Sequence, residues 1–488
     1  MGNDDGDTAP IPTRTWSSLL IRERPRPEAI RSRPGAWWLA VVTVCFGAFM
    51  GQLDASIVTL TYGSLRSEFR TSLAAIEWVS LAYLLTLVAL LIPVGRLSDA
   101  YGRKLFYLYG FVVFTGASAA CGFAPSLAAL VAFRVVQAVG AAMMQANSVA
   151  LVTTSAPRER MRTALGVQAA AQAVGLALGP TVGGALVSAL GWRWVFWINV
   201  PVGVVALAAG HYLLPRTRSR NRVASFDWPG LVLLAVATTS LLLGVSAASG
   251  LAVPPWAVVG LFVLAVAAAW AFVRRQRRAA VPLLDLGLLR VRAVSSGLAA
   301  ALCGYLVLFG PLVLVPQIVV RTGGSELLAG VVLTALPGGF ALAATGAERV
   351  LPRAVGDRAR CLLGVAVCTG TLAAMLVLPV TPLWLAAQLA VLGIGLGLFT
   401  PANNTLVMSA IPANCSGTGG GLVNMTRGVG TALGVALITL QLHLTHGQGV
   451  RERWVQSIAI LLAAALVATA TAWLSPADRP RTQAMSPK

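Results

Sequence analysis

The chain has 488 residues, 57% of them hydrophobic and 11% charged, with a formal net charge of +20. Soluble domains carry about 25% charged residues, and a mean hydropathy of +0.77 leaves more apolar surface than one aqueous core can hide. Nucleic-acid binding is excluded too, because the positive charge sits between apolar blocks and not on a charge-rich folded domain.

Taken in chain order, the apolar blocks run over 36–62, 75–97, 104–122, 127–152, 163–187, 191–214, 228–247 and 255–273. They continue over 295–316, 328–348, 360–378, 383–408, 417–441 and 454–474. Twenty residues at ~1.5 Å rise cross a ~30 Å hydrocarbon layer, so each block predicts one membrane span. Lipid cannot hydrogen-bond an exposed backbone, and a barrel would show alternating segments of about ten residues. The expected fold class is therefore all-α and polytopic, with fourteen transmembrane helices.

Charge predicts the orientation. With the N-terminus inside, 29 of the 37 basic residues fall in cytoplasmic segments, six fall outside, and Arg134 and Arg427 lie within helices. The positive-inside rule then puts both termini in the cytoplasm. No short apolar leader with a small-residue cleavage site is evident at the start. Six scattered cysteines form no CxxC pair, and the three histidines are assigned no role. No G-x-x-x-x-G-K-[ST] loop occurs, so the expected energy source is an ion gradient and not an attached ATPase.

Asp54 lies deep in the first block, where a carboxylate costs on the order of 3 kcal/mol. It reads either as an acid that loads and releases protons or as an ion held by an arginine as structural glue. Arg134, at matching depth in the fourth block, is its expected partner. Between the second and third blocks, Gly95-Arg96-Leu97-Ser98-Asp99-Ala100-Tyr101-Gly102-Arg103-Lys104 predicts a loop. In it Gly95 permits close backbone approach, Gly102 a tight turn, and Asp99 a contact with a helix N-terminus. Gly175, Gly179 and Gly183 form a smooth helical stripe, with a bend at Pro180. Asn199, just before Pro201, reads as satisfying carbonyls freed by the proline. Arg427 either faces a central cavity or snorkels towards the cytoplasm.

The Gly95–Lys104 segment resembles the signature loop of the major facilitator superfamily. Arg134-x-x-Gln137-x-x-Gly140 is similar to its helix-4 motif, and Gly175-x-x-x-Gly179-Pro180-x-x-Gly183-Gly184 to the helix-5 motif of its antiporters. Leu53-Asp54-Ala55-Ser56-Ile57-Val58 and the stretch from Trp192 to Gly203 resemble its fourteen-helix drug:proton antiporter branch. The sequence departs from that pattern at Thr59 and Ala138. Gly346-Ala347-Glu348-Arg349…Gly356-Asp357-Arg358 resembles the loop too weakly for gating residues to be assigned.

The resemblance implies two six-helix lobes (36–214 and 293–474) and an extra helix pair within 215–292, with cytoplasmic tails at 1–35 and 475–488. The N-terminal tail is expected to be disordered. It also implies proton coupling through Asp54 and Arg134, with Gln137 and Gly140 lining the cavity. Gly95, Asp99, Gly102, Arg103 and Lys104 would gate, with Asp99 meeting the thirteenth helix near Ser416 and Gly417. The implied function is export of small amphipathic compounds, as multidrug or antibiotic efflux across the cell membrane. A dedicated exporter of one metabolite, lipid or self-made antibiotic is the other reading, and a non-transporting scaffold or sensor a remote third. No catalytic, metal or cofactor site is expected. The expected partners are lipid, protons and a small-molecule substrate.

Overall fold

The computed structural model describes residues 23, 25–32, 35–217, 226–248, 253–352, 355–445 and 447–474. Most of the expected N-terminal tail, the whole C-terminal tail and the arginines at 218, 220, 222 and 353 lie outside the described residues.

The first lobe comprises α1 (Ala36–Ile57), α2 (Leu73–Tyr101), α3 (Arg103–Gly122), α4 (Leu127–Ser155), α5 (Met161–Leu190) and α6 (Asn199–Leu213). A helix pair follows, α7 (Trp228–Ala248) and α8 (Pro255–Gln276). The second lobe comprises α9 (Arg292–Arg321), α10 (Glu326–Val350), α11 (Asp357–Val377), α12 (Pro382–Ser409), α13 (Ser416–Leu444) and α14 (Val450–Leu474). Thirteen spans among the described residues are long and apolar enough to cross a membrane, and α5, bent by 41° between Gly179 and Thr181, makes the fourteenth. Pro180 lies at that bend; its side chain is outside the described residues.

Local signals set the helix ends. Ser72, Ser126 and Ser325 cap α2, α4 and α10, each accepting a bond from a backbone N–H three residues on. The expected loop between α2 and α3 is not a loop. Helix continues through Tyr101, and Gly102 alone, at φ 124°, separates it from Arg103. That backbone conformation suits glycine, so the reversal needs one residue.

Because α1 starts at one face of the bundle, the odd-numbered helices run away from that proximal end and the even-numbered ones return to it. The lobes meet in its proximal half, where α2 and α4 pack on α13 and α5 packs on α10 and α12. Glycines make this approach possible. A Cβ on Gly95 would strike the Gly417 carbonyl, one on Gly166 the Ala344 carbonyl, and one on Gly420 the Ala146 carbonyl.

Candidate coupling site and proximal seam

Two close helix seams converge on Asp54. The α5 stripe faces α1 within the first lobe: a Cβ on Gly175 would lie 2.5 Å from the Phe49 carbonyl oxygen. Gly179 abuts Ser56 and Gly183 abuts Ile57, while Gly184 has open space around its Cα. The second seam joins α3 to α4, where Gly140 lies against the backbone at Phe114 and Gly110. It brings Ser118 on α3 to Gln137 on α4.

Asp54, Ser118 and Gln137 are 0% exposed, and Arg134 and Asn199 1%. Arg134 Nη1 donates to Asp54 Oδ2 at 2.6 Å and to Gln137 Oε1 at 2.6 Å. Its Nε donates to the Val79 carbonyl at 3.1 Å. Gln137 Nε2 donates to Asp54 Oδ1 at 3.0 Å and to Ser118 Oγ at 2.7 Å. Asn199 Nδ2 donates to the same Oδ1 at 3.0 Å. The Arg134 guanidinium also stacks on Tyr83, 4.0 Å from the ring centroid. Satisfied this fully, a buried pair can repay its desolvation cost.

This geometry changes one expectation. Asn199 serves no freed carbonyl; it reaches across to Asp54. Gln137 belongs to the carboxylate cluster, and Gly140 is buried in the α3–α4 seam. Asn199, Ser118 and Tyr83 were invisible as site residues because their partners lie on other helices.

At the proximal end, Asp99 crosses to the N-terminus of α13. Its Oδ1 accepts from the Gly417 N–H at 2.7 Å, and its Oδ2 accepts from the Thr418 N–H at 2.7 Å and Thr418 Oγ1 at 2.8 Å. Backbone donors and helix dipole both favour a carboxylate there. Arg103 donates to Asp99 Oδ1 from Nε (2.9 Å) and Nη2 (2.8 Å), and its Nη2 also reaches the Ala413 carbonyl at 2.6 Å. Lys104 does not face the opposite lobe. Its Nζ donates to the His211 and Leu214 carbonyls at 2.9 and 2.8 Å, capping the C-terminus of α6.

A second seam contact sits at the equivalent place in the other half. Arg162 on α5 pairs with Asp357 at the start of α11 and with Glu348 near the end of α10, the latter at 3.1 Å. Arg360 approaches Glu348 at 3.4 Å. The α2–α3 junction thus meets the fifth helix of the second lobe, and the α10–α11 junction meets the fifth helix of the first. The weak likeness of residues 346–358 to the signature loop was the available signal; Arg162, among other positive-inside arginines, gave none.

Fourteen membrane helices, six in each of two lobes joined at a proximal seam and an extra pair whose α7 packs on α2 and α13, describe an integral membrane transporter. A sequence profile of the Major Facilitator Superfamily matches residues 44–435. The chain belongs to that superfamily and is a transporter, not an enzyme. It is 31% identical over 440 residues to the tetracenomycin C resistance and export protein of Streptomyces glaucescens, covering 88% of this chain and 79% of that one. It is 28% identical to the riboflavin transporter RibZ of Clostridioides difficile (82% and 87% covered). Against the multidrug resistance protein Stp of Mycobacterium tuberculosis the identity is also 28% (82% and 75% covered). The solved structure of the human organic anion transporter MFSD10 superposes with a TM-score of 0.63 at 16% identity, over 89% of this chain and all of that one, a likeness of fold.

Proposed function

We propose that this chain is a proton-driven exporter of small amphipathic compounds, a multidrug or antibiotic efflux carrier working by alternating access. The observation that carries the reading is the Asp54 carboxylate, fully buried in the first lobe and held by donors from two other helices. Intramembrane acids are rare, and they mark ion and proton pathways. Oδ1 already accepts two bonds, so a proton enters at the remaining lone pair of Oδ2, beside Arg134, and neutralises the charge that holds the guanidinium. Protonation thereby weakens the hold of α4 on α1.

The Asp99 and Arg162 contacts hold the proximal end closed in this state. The arginine distribution supports a cytoplasmic proximal end, cytoplasmic termini and residence in the cell membrane. The domains are then 36–214, 215–292 and 293–474, and the proton gradient serves in place of any cofactor. One proton moving down ~100 mV supplies about 2.3 kcal/mol. The similarity to export and resistance proteins supports outward transport of antibiotic-like compounds.

Reconstituted vesicles with an imposed pH gradient test this. Tetracenomycin C is expected to move against its gradient and to dissipate the pH difference, and Asp54→Asn to abolish both effects. Gradient-driven movement that survives Asp54→Asn would sink the reading. Competition between tetracenomycin C and a chemically unrelated cationic dye separates multidrug from dedicated export.

A further inference from the structure

α13 meets the first lobe along one face. Gly417 lies against Gly95, Gly420 against Ala146 and Gly428 against Val88, while Asn424 Nδ2 donates to the Gln145 carbonyl at 2.8 Å. Arg427 belongs to this face, three residues after Asn424 and seven after Gly420, which is helical spacing. It stands about 16 Å along the axis from the start of α13 at ~1.5 Å per residue. Its side chain is 6% exposed, so it does not snorkel out to water.

The surroundings of Arg427 differ from those of Arg134. Its guanidinium carbon lies 5.2 Å from the Tyr305 ring centroid, and Nη1 donates to Asn424 Oδ1 at 3.1 Å. Its Nε is buried without a partner, and among the described residues no carboxylate pairs with it. Tyr305 is held in place by close packing of α9 on α13. A Cβ on Gly434 would lie 2.6 Å from the Leu306 carbonyl oxygen, and Gly430 abuts the Leu302 carbonyl. The lobe-facing surface of the second lobe thus carries a buried guanidinium with no carboxylate partner among the described residues and an unpaired Nε, beside an aromatic ring. Arginine's planar fork matches an oxyanion, and ionisable groups at such depth are functional by default.

We propose that Arg427, with Asn424 and Tyr305, binds an oxyanion of the transported compound, a carboxylate or ionised phenol carried on an apolar aromatic body. This rests on the export reading for its biological meaning, but binding without any gradient tests it separately.

The probe pair is anthracene-9-carboxylate and its neutral carboxamide, titrated by fluorescence into the full chain in nanodiscs, with empty nanodiscs subtracted. The carboxylate is expected to bind at least tenfold tighter than the amide. Arg427→Gln is expected to remove that preference while leaving amide affinity within twofold, which also reports an intact fold. Arg427→Lys keeps the charge but loses the fork, and the preference is expected to fall at least threefold; this variant decides if the glutamine one does not fold. Asp54→Asn is expected to keep the preference, so failure of proton coupling and failure of anion binding give different results. Equal binding of the two probes, binding of neither, or a preference surviving Arg427→Gln overturns the proposal.

Discussion

Asn199 on α6 donates a 3.0 Å hydrogen bond to Asp54 on α1, sharing Oδ1 with Gln137 while Arg134 holds Oδ2. Neither carboxylate oxygen is left without a donor. The charge on α1 is therefore read by α4 and α6 together, and a change in it disturbs three helices.

Arg134→Gln strands Asp54 without its cation, and breaking a buried pair costs about 3–5 kcal/mol. Asp54→Asn with Arg134→Gln removes both charges, so the double variant is expected to be more stable than Arg134→Gln alone. Thermal unfolding of the four proteins in detergent measures the coupling. A double variant less stable than Arg134→Gln would contradict the pair.

Asp99→Asn exchanges a carboxylate for an amide at three donors of α13. Hydrogen bonds to charged groups contribute about 1.5–3 kcal/mol each, so the proximal end is expected to open in at least tenfold more molecules. Spin-label distances between proximal positions of α3 and α11, outside the seam, report this directly. An unchanged distance distribution would show that the contact does not hold the lobes.

Gly179→Ala and Gly184→Ala separate packing from motif membership. The first drives a methyl into Ser56 and is expected to destabilise by about 1–3 kcal/mol through forced backbone shift. The second meets nothing within 4 Å and is expected to stay within about 1 kcal/mol. Melting temperatures of the two purified variants decide.

Much of the fold is legible in the sequence, because lipid demands helices of about twenty apolar residues and leaves few alternatives. Asp54 and Arg134 stand out because ionisable groups inside such blocks are costly. Asn199 does not, since Pro201 offers a sufficient local explanation and the true partner lies 145 residues away. Gly95–Lys104 reads as a loop because its polar residues interrupt the apolar run. In the structure Gly95, Ser98, Asp99 and Arg103 are buried against the opposite lobe and Lys104 against α6, while Tyr101 stays exposed, so most of the polarity there marks an interface and not an exposed turn.

The Arg162 contact is partly exposed, with side-chain exposure of 18% for Arg162 and 30% for Glu348. Exposed pairs are screened by salt. In an Asp99→Asn background, where this ion pair remains, raising salt from about 0.05 to about 0.5 M is expected to widen the proximal distances further. Adding Arg162→Gln is expected to remove that salt response; a response that persists would assign it elsewhere.

Asp227 precedes α7 and joins it to α8. Burial opposes its ionisation, but donation from Arg275 Nε (2.8 Å), Gln276 Nε2 (2.8 Å) and the Gly230 N–H (3.0 Å) outweighs burial and holds its carboxyl below the usual range. With the folded value depressed, its stabilisation is full above the unfolded carboxylate range near 3.9. It is lost as pH falls through the folded value. Hydrogen exchange at Gly230 is expected to lose protection below about pH 4 in the native chain. Asp227→Asn is expected to lack that acid-induced step.

Lys104 pins one end of α6, and Asn199, about 21 Å away along fourteen steps of ~1.5 Å, touches Asp54 at the other. Lys104 follows Arg103, which grips Asp99. α6 is therefore a strut anchored at both extremities, one beside the lobe junction and one on the buried acid. The lobe junction and the buried acid are thus joined through one helix that lies wholly within the first lobe.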